Sequence, residues 1–183
     1  MSSTASCSVH IPILTTERLT LRGHCLADFP ACAALWADPE VTRYIGGRPS
    51  TEEEVWARFL RYVGHWTLLG FGFWVVEEKS TGRLLGEVGF ADFKRAITPS
   101  FGDAPEAGWV LAPGAHGKGF ATEAIRAALA WATSHFGGGR SVCMIDPGNQ
   151  VSLRVAAKCG FKEFARTLYK GDEVILCAAQ LGP

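Results

Sequence analysis

Glu106-Ala107-Gly108-Trp109-Val110-Leu111-Ala112-Pro113-Gly114-Ala115-His116-Gly117-Lys118-Gly119-Phe120-Ala121-Thr122 is the stretch that organises this chain. Glu106 to Leu111 reads as a short strand. Gly114, Gly117 and Gly119 crowd the turn after it. Ala121, Ala124, Ile125, Ala128, Leu129, Ala132 and Phe136 then recur on one helical face, and Gly137 stops the run. A helix start leaves amide N–H groups without partners and carries a partial positive charge. Glycines let that backbone approach a bulky anion, so a strand, a glycine turn and a helix together make a phosphate site. Lys118 or the Thr122 hydroxyl can add to it.

Two phosphate-binding patterns do not fit. The nucleotide-triphosphate P-loop needs Ser or Thr after Gly-Lys and a glycine upstream; here Gly119 follows Lys118 and Ala112 holds the upstream place. The dinucleotide pattern begins correctly at Gly117 and Gly119, but Thr122 stands at its last glycine position.

Toward the N-terminus, Leu84 to Phe93 and Phe71 to Glu77 read as a hairpin around Ser80-Thr81-Gly82, and Lys94 to Pro105 as a loop. Ser50-Thr51-Glu52-Glu53 predicts a capping box, with Ser50 as the cap, opening a helix that runs to about Leu69 and ends at Gly70. Asp28 to Ala37 reads as a helix stopped near Pro39, and Leu19 to Arg22 as a half-buried strand. Toward the C-terminus come a strand at Val142 to Ile145, a turn at Asp146 to Asn149 and a helix at Val151 to Lys158 capped by Gly160. A closing hairpin follows, Phe161 to Tyr169 and Glu173 to Ala179. The order β-α-α-β-β-β-α-β-α-β-β predicts an α+β fold: a mixed, mostly antiparallel central sheet of about seven strands flanked by helices. It argues against a doubly wound parallel sheet.

The 183 residues fit one domain, expected over residues 13–183 behind a flexible tail at 1–12. Eighteen basic residues offset eighteen acidic ones, which gives no electrostatic footprint for nucleic acid or an anionic membrane. The six cysteines form no Cys-x-x-Cys pair and no zinc-ligand spacing with histidine, so reduced structural thiols and no metal are expected. Met1 to Ser8 lacks the basic start and apolar stretch of a signal peptide, and no apolar run is long enough to cross a bilayer. The expected location is cytoplasmic.

His116-Gly117-Lys118-Gly119-Phe120-Ala121-Thr122-Glu123-Ala124 resembles the acyl-CoA-binding segment of the GNAT superfamily of N-acetyltransferases. The family pattern is Gln or Arg, two residues, Gly, one residue, Gly or Ala; His116, Gly119 and Ala121 occupy those places, and His116 departs from it. Thr16-Glu17-Arg18-Leu19-Thr20-Leu21-Arg22, Asp38-Pro39-Glu40-Val41, Tyr44-Ile45-Gly46, Gly86-Glu87-Val88-Gly89-Phe90, Asn149-Gln150-Val151-Ser152 and Lys158-Cys159-Gly160-Phe161 are similar, in order, to the branch holding the ribosomal-protein alanine acetyltransferases. The resemblance covers roughly Thr15 to Ala179.

The resemblance implies acetyl-CoA as cosubstrate and a primary amine as acceptor, either a protein N-terminus or a small molecule. The backbone of Trp109, Val110 and Leu111 would bond the pantetheine arm, and residues 116–122 the pyrophosphate. Asn149 and Ser152 would lie near the thioester, Asn149 bonding the pantetheine and Ser152 donating a proton toward sulfur. Capping alone also explains an Asn in a turn and a Ser in the first turn of a helix. Glu106 is the candidate general base, with Glu87 as a rival; a solvated strand-end carboxylate is the plain alternative. Many relatives carry a late-helix Tyr as general acid, and the corresponding place near Ala156 has none. Tyr169 reads as packing, as do the lone histidines His24, His65 and His135. Residues 43–49 and 94–105 are expected to shape the acceptor site. Relatives often pair, so a homodimer is a further expectation. A second reading is a domain that binds acyl-CoA as a sensor without turnover.

Overall fold

The computed structural model describes residues 10–182. Most of the tail expected at 1–12 therefore lies outside the described residues, as does Pro183 at the end of the domain expected over 13–183. β1 (Leu14–Thr15), β2 (Leu19–Arg22), α1 (Phe29–Ala37), α2 (Pro39–Thr42) and α3 (Glu52–Leu69) come first. β3 (Phe73–Glu78), β4 (Leu84–Ala91) and β5 (Glu106–Leu111) follow, then α4 (Phe120–Phe136), β6 (Arg140–Ile145), α5 (Gln150–Lys158), β7 (Lys162–Tyr169) and β8 (Asp172–Gln180).

The strands form one sheet in the order β1-β2-β3-β4-β5-β6-β8-β7. Every pairing is antiparallel except β5 with β6. The sheet thus has eight strands, where the sequence pattern predicts about seven. The addition is β1, a two-residue edge pairing Leu14 with Leu21, too short to show alternation.

Two helix starts differ from the sequence reading. The cap of α3 is Thr51, not Ser50: its hydroxyl accepts from the Glu54 amide at 3.3 Å, and the Glu54 carboxylate accepts from the Thr51 amide at 2.9 Å. Ser-Thr followed by three glutamates offers two registers for the same motif. Arg48 favours the second by donating to both Glu54 oxygens, at 2.5 and 3.0 Å. The other difference is α2. Pro39 both ends α1 and opens this short helix, whose cap Asp38 accepts from the Glu40 amide at 2.8 Å.

The main core lies between the sheet and α4. Ala124, Ile125, Ala128 and Ala132 are at most 1% exposed, and the three alanines let α4 lie close to the strands. Trp66, Trp74, Phe90, Trp131 and Phe136 close the far end of that layer edge to face. Trp56 is 39% exposed, stacked on Phe59 at the surface of α3. Among the described residues, no helix is long and apolar enough to cross a membrane.

Candidate active site

β5 builds the site because its two edges are treated differently. Against β4 it pairs along its whole length, Glu106 with Ala91 through Leu111 with Gly86. Against β6 it pairs at one point, Glu106 with Val142, and then the strands part. Alternation decides which groups face the gap. Val142 N–H donates to Pro105 O on the β6 side, and Ala112 N–H donates to Leu85 O on the β4 side. Odd-numbered backbone groups therefore point toward β6, so Trp109 and Leu111 present theirs to the gap while Val110 is turned to β4. Of the three backbone positions expected to bind a ligand arm, two face the opening, and Val110 contributes only its side chain.

At the end of β5 the chain makes a tight turn through Pro113–Ala115 and reaches α4. Gly117 and Gly119 have φ of +74° and +82°, a region where a side chain is strained. Gly119 caps α4, and no side chain makes a cap hydrogen bond there. The first intrahelical bond goes from Glu123 N–H to Gly119 O, which leaves the amides of Phe120, Ala121 and Thr122 free of helical partners. A Cβ placed on Gly117 would meet nothing within 4 Å, so this side of the turn is open. Unpartnered donors at an open helix start fit a diphosphate.

His116 has a definite place in that turn: its Nε2–H donates to Leu111 O at 2.8 Å. The imidazole thereby satisfies one of the carbonyls that β6 leaves unpaired. Arg18 and Glu123 are positioning residues that the sequence reading missed. Arg18 donates to Lys118 O at 2.9 Å and to the Glu123 carboxylate at 2.7 Å. Glu123 also accepts from the Thr16 hydroxyl at 2.6 Å and the Arg18 amide at 2.9 Å. Burial pushes the Glu123 pKa up, but the bonds from Thr16 and Arg18 outweigh it and leave it lowered. The clasp spans more than a hundred residues of sequence, and nothing local announces it.

Beside the splayed strands lies a cleft of about 870 Å³. Glu106, Trp109, Val110, Asn149 and Ser152 all line it, whereas Leu111 and residues 116–122 do not. The expected site residues thus fall into two groups, a turn and a cleft, joined by β5. Asn149 caps α5: its Oδ1 accepts from the Ser152 amide at 3.1 Å, which leaves its side-chain NH₂ available. The Ser152 hydroxyl makes no hydrogen bond among the described residues.

Glu106 is not a solvated strand end. It is 7% exposed, and Arg95 donates to both its oxygens, Nε to Oε2 at 2.5 Å and Nη2 to Oε1 at 2.7 Å. Each oxygen keeps a second lone pair for an incoming N–H. Tyr169 is likewise more than packing. It lines the cleft, and its hydroxyl accepts from Arg95 Nη1 at 3.1 Å. Arg95 comes from the loop before β5 and Tyr169 from the end of β7, so only the folded sheet assembles Glu106, Arg95 and Tyr169. Glu87 has no access as a rival base. It is 1% exposed, and its oxygens accept from Trp36 Nε1 and His24 Nε2, each at 2.8 Å. His24 is thus a partner of a buried carboxylate rather than simple packing.

Diverging strands, with a donor-rich helix start beyond one end and a buried carboxylate at the other, suit the transfer of a group from an extended anionic donor. The family is shown by comparison: the acetyltransferase (GNAT) domain model matches residues 18–162. The chain belongs to the GNAT family and is an N-acetyltransferase. It is 32% identical over 168 residues to the uncharacterized protein YkkB of Bacillus subtilis, covering 88% of this chain and 91% of that one. A solved structure from Bordetella pertussis, assigned to the GNAT acetyltransferases, matches with a TM-score of 0.81 and 31% identity, covering 92% and 99% of the two chains. At 20% identity the fold alone is shared with two Vibrio enzymes. The ribosomal-protein-S5-alanine acetyltransferase of Vibrio fischeri has a TM-score of 0.75 and coverage of 93% and 97%. The spermidine N-acetyltransferase of Vibrio cholerae, solved with CoA and spermine, has a TM-score of 0.72 and coverage of 91% and 97%.

Proposed function

We propose that this protein transfers an acetyl group from acetyl-CoA to a primary amine by direct attack of the amine on the thioester. The observation that carries this reading is the single β5–β6 bridge. It leaves the Trp109 and Leu111 backbone groups without β6 partners, with the free amides of residues 120–122 beyond one end of β5 and Glu106 at the other. The turn amides would hold the pyrophosphate, with Lys118 and Thr122 beside them. Trp109 C=O and N–H and Leu111 N–H would bond the pantetheine arm, while His116 keeps the Leu111 carbonyl occupied. The donor supplies an activated acyl group. A C–N bond forms, the C–S bond breaks, and the thiolate takes up a proton.

The chain's own part is to position the amine and move protons. Only a neutral amine attacks, so the ammonium must lose a proton. Glu106, fixed by Arg95, accepts it directly or through a water. The Ser152 hydroxyl, uncommitted and on the cleft wall, is placed to donate toward sulfur, and the Asn149 NH₂ to hold the arm near its reactive end. Backbone N–H groups of β5 facing the gap would stabilise the oxyanion, since a fixed dipole needs no reorganisation.

The acceptor is a protein N-terminus or a small amine. Thiol release from acetyl-CoA, followed across small amines and peptides beginning with Ala, Ser or Met, tests the reading. Amine-dependent release is expected. Binding of acetyl-CoA without release for every amine would instead favour an acyl-CoA sensor, which a cleft-lining, desolvated Glu106 argues against.

A further inference from the structure

The cleft carries an imbalance that acetyl transfer alone does not explain. Six cationic side chains and four carboxylates line it. Arg95 is taken by Glu106, and Lys94 by Asp92 at 2.6 Å. Among the described residues, Arg43, Arg58, Arg61 and Lys170 make no ion pair, nor do Asp146 and Asp172; of the unpaired cations, Arg58 and Arg61 come from one helix. They stand three residues apart on α3, on one face of the helix.

Both guanidinium groups rest on aromatic rings instead of carboxylates. Arg58 lies 3.7 Å over the Trp36 ring, and Trp36 is itself fixed by its bond to Glu87. Arg61 lies 5.1 Å over Phe93, the ring that Arg95 also packs against at 4.7 Å. A ring face holds a guanidinium without consuming its in-plane N–H donors. Arg58 Nε is buried and has no hydrogen-bond partner, which is costly unless a ligand supplies one. Arg61 is exposed and lines the cleft as well. Its pKa is lowered by desolvation first and, despite an opposing effect of Tyr62, by the nearby charges of Arg58 and Arg95.

A carboxylate poised for an ammonium and two guanidinium groups without anions therefore share one cleft. We propose that the acceptor is an amine bearing its own carboxylate, a free amino acid being the simplest member of the class. Its nitrogen meets Glu106, and its carboxylate meets Arg58 and then Arg61. Bidentate guanidinium–carboxylate pairing in a partly desolvated cleft gives both strength and orientation. A polyamine brings only positive charge to these arginines, and a peptide N-terminus brings a neutral amide where the anion belongs. The inference rests on the acetyl-transfer reading above.

The test compares each amino acid with its carboxamide and its decarboxylated amine, alongside spermidine, by thiol release from acetyl-CoA. At least one free acid should exceed its amide in kcat/KM by about tenfold or more. Arg58→Gln and Arg61→Gln should collapse that ratio toward one, and Arg58→Lys should keep part of it. Equal rates for acid and amide throughout, or a preference for spermidine or the decarboxylated amines, would overturn the proposal. A second measurement needs no turnover: calorimetric titration with N-acetylated amino acids, which keep the carboxylate and lack the nucleophile. They should bind wild type and bind Arg58→Gln about tenfold more weakly. No preference over their amides would remove the carboxylate site and leave acetyl transfer standing. Preferential binding in a protein that turns over no amine would support the carboxylate site and count against acetyl transfer.

Discussion

The two ends of the site are made of different material. At the turn end, the donors are main-chain amides of residues 120–122, held open by two glycines and braced by Arg18 from one side. At the cleft end, the working groups are side chains: Glu106 from β5, Arg95 from a loop, Tyr169 from β7, Arg58 and Arg61 from α3. The first needs a local backbone shape, and His116 beside it bonds the backbone of the preceding strand. The second needs five charged or polar groups from four segments to meet. A backbone site is therefore suited to a ligand shared by a whole family, and a side-chain site to the ligand that distinguishes its members.

The contrast can be broken most sharply at Gly119. Gly119→Val puts a β-branched side chain at φ +82°, its Cβ 3.4 Å from Arg18 Nη2 and on the turn itself. CoA affinity measured by calorimetry should fall by about a hundredfold, from lost amide contacts and a strained turn. Unchanged affinity would remove the turn from the site. Glu106→Gln attacks the other end and should lower turnover by about a hundredfold, the scale of a lost general base. CoA affinity should change far less, and the loss should be greatest below the amine's pKa. Equal damage to both constants would mean that the two ends are not separable.

Asp28 provides a comparison away from both ends. Arg22 donates to both its oxygens at 2.8 Å, and the Cys25 amide donates at 2.8 Å. Burial opposes ionisation, but these bonds prevail and hold the Asp28 pKa at about 2, below the ordinary 3.8. A depressed carboxylate stabilises the fold above its unfolded pKa, and that stabilisation disappears as pH falls through the folded value. Asp28→Asn should cost on the order of 2 kcal/mol near neutral pH. The gap between wild type and variant should narrow as pH falls from about 4 toward 2, as read by denaturant melts. A gap that stays constant with pH would assign the loss to packing. Smallest is Tyr169→Phe, which removes one neutral partner of Arg95 worth about 1 kcal/mol. Turnover should drop a few-fold while CoA binding holds; a drop as large as that of Glu106→Gln would place the hydroxyl in proton transfer.

Local pattern was enough for most of the fold. The seven longer strands, the long helices α3 and α4, and their glycine stops at Gly70 and Gly137 each answer to a period or a punctuation mark visible within a dozen residues. The register of the α3 cap was not, because Ser50-Thr51 and three glutamates satisfy one rule twice and Arg48 breaks the tie. Nor was α2, since four residues cannot show a helical period.

The sequence by itself determined the backbone of the turn end, since amide direction follows from glycine placement and helix start, while the Arg18 clasp that braces it came from the fold. Tertiary structure alone decided the cleft end. It turned Val110 away from the gap, gave Glu106 a guanidinium partner, buried Glu87 under Trp36 and His24, and left Arg58 and Arg61 without anions. Charge pairing depends on distance in space, and residues as far apart in the chain as Arg95 and Tyr169 acquire that distance only when the sheet closes.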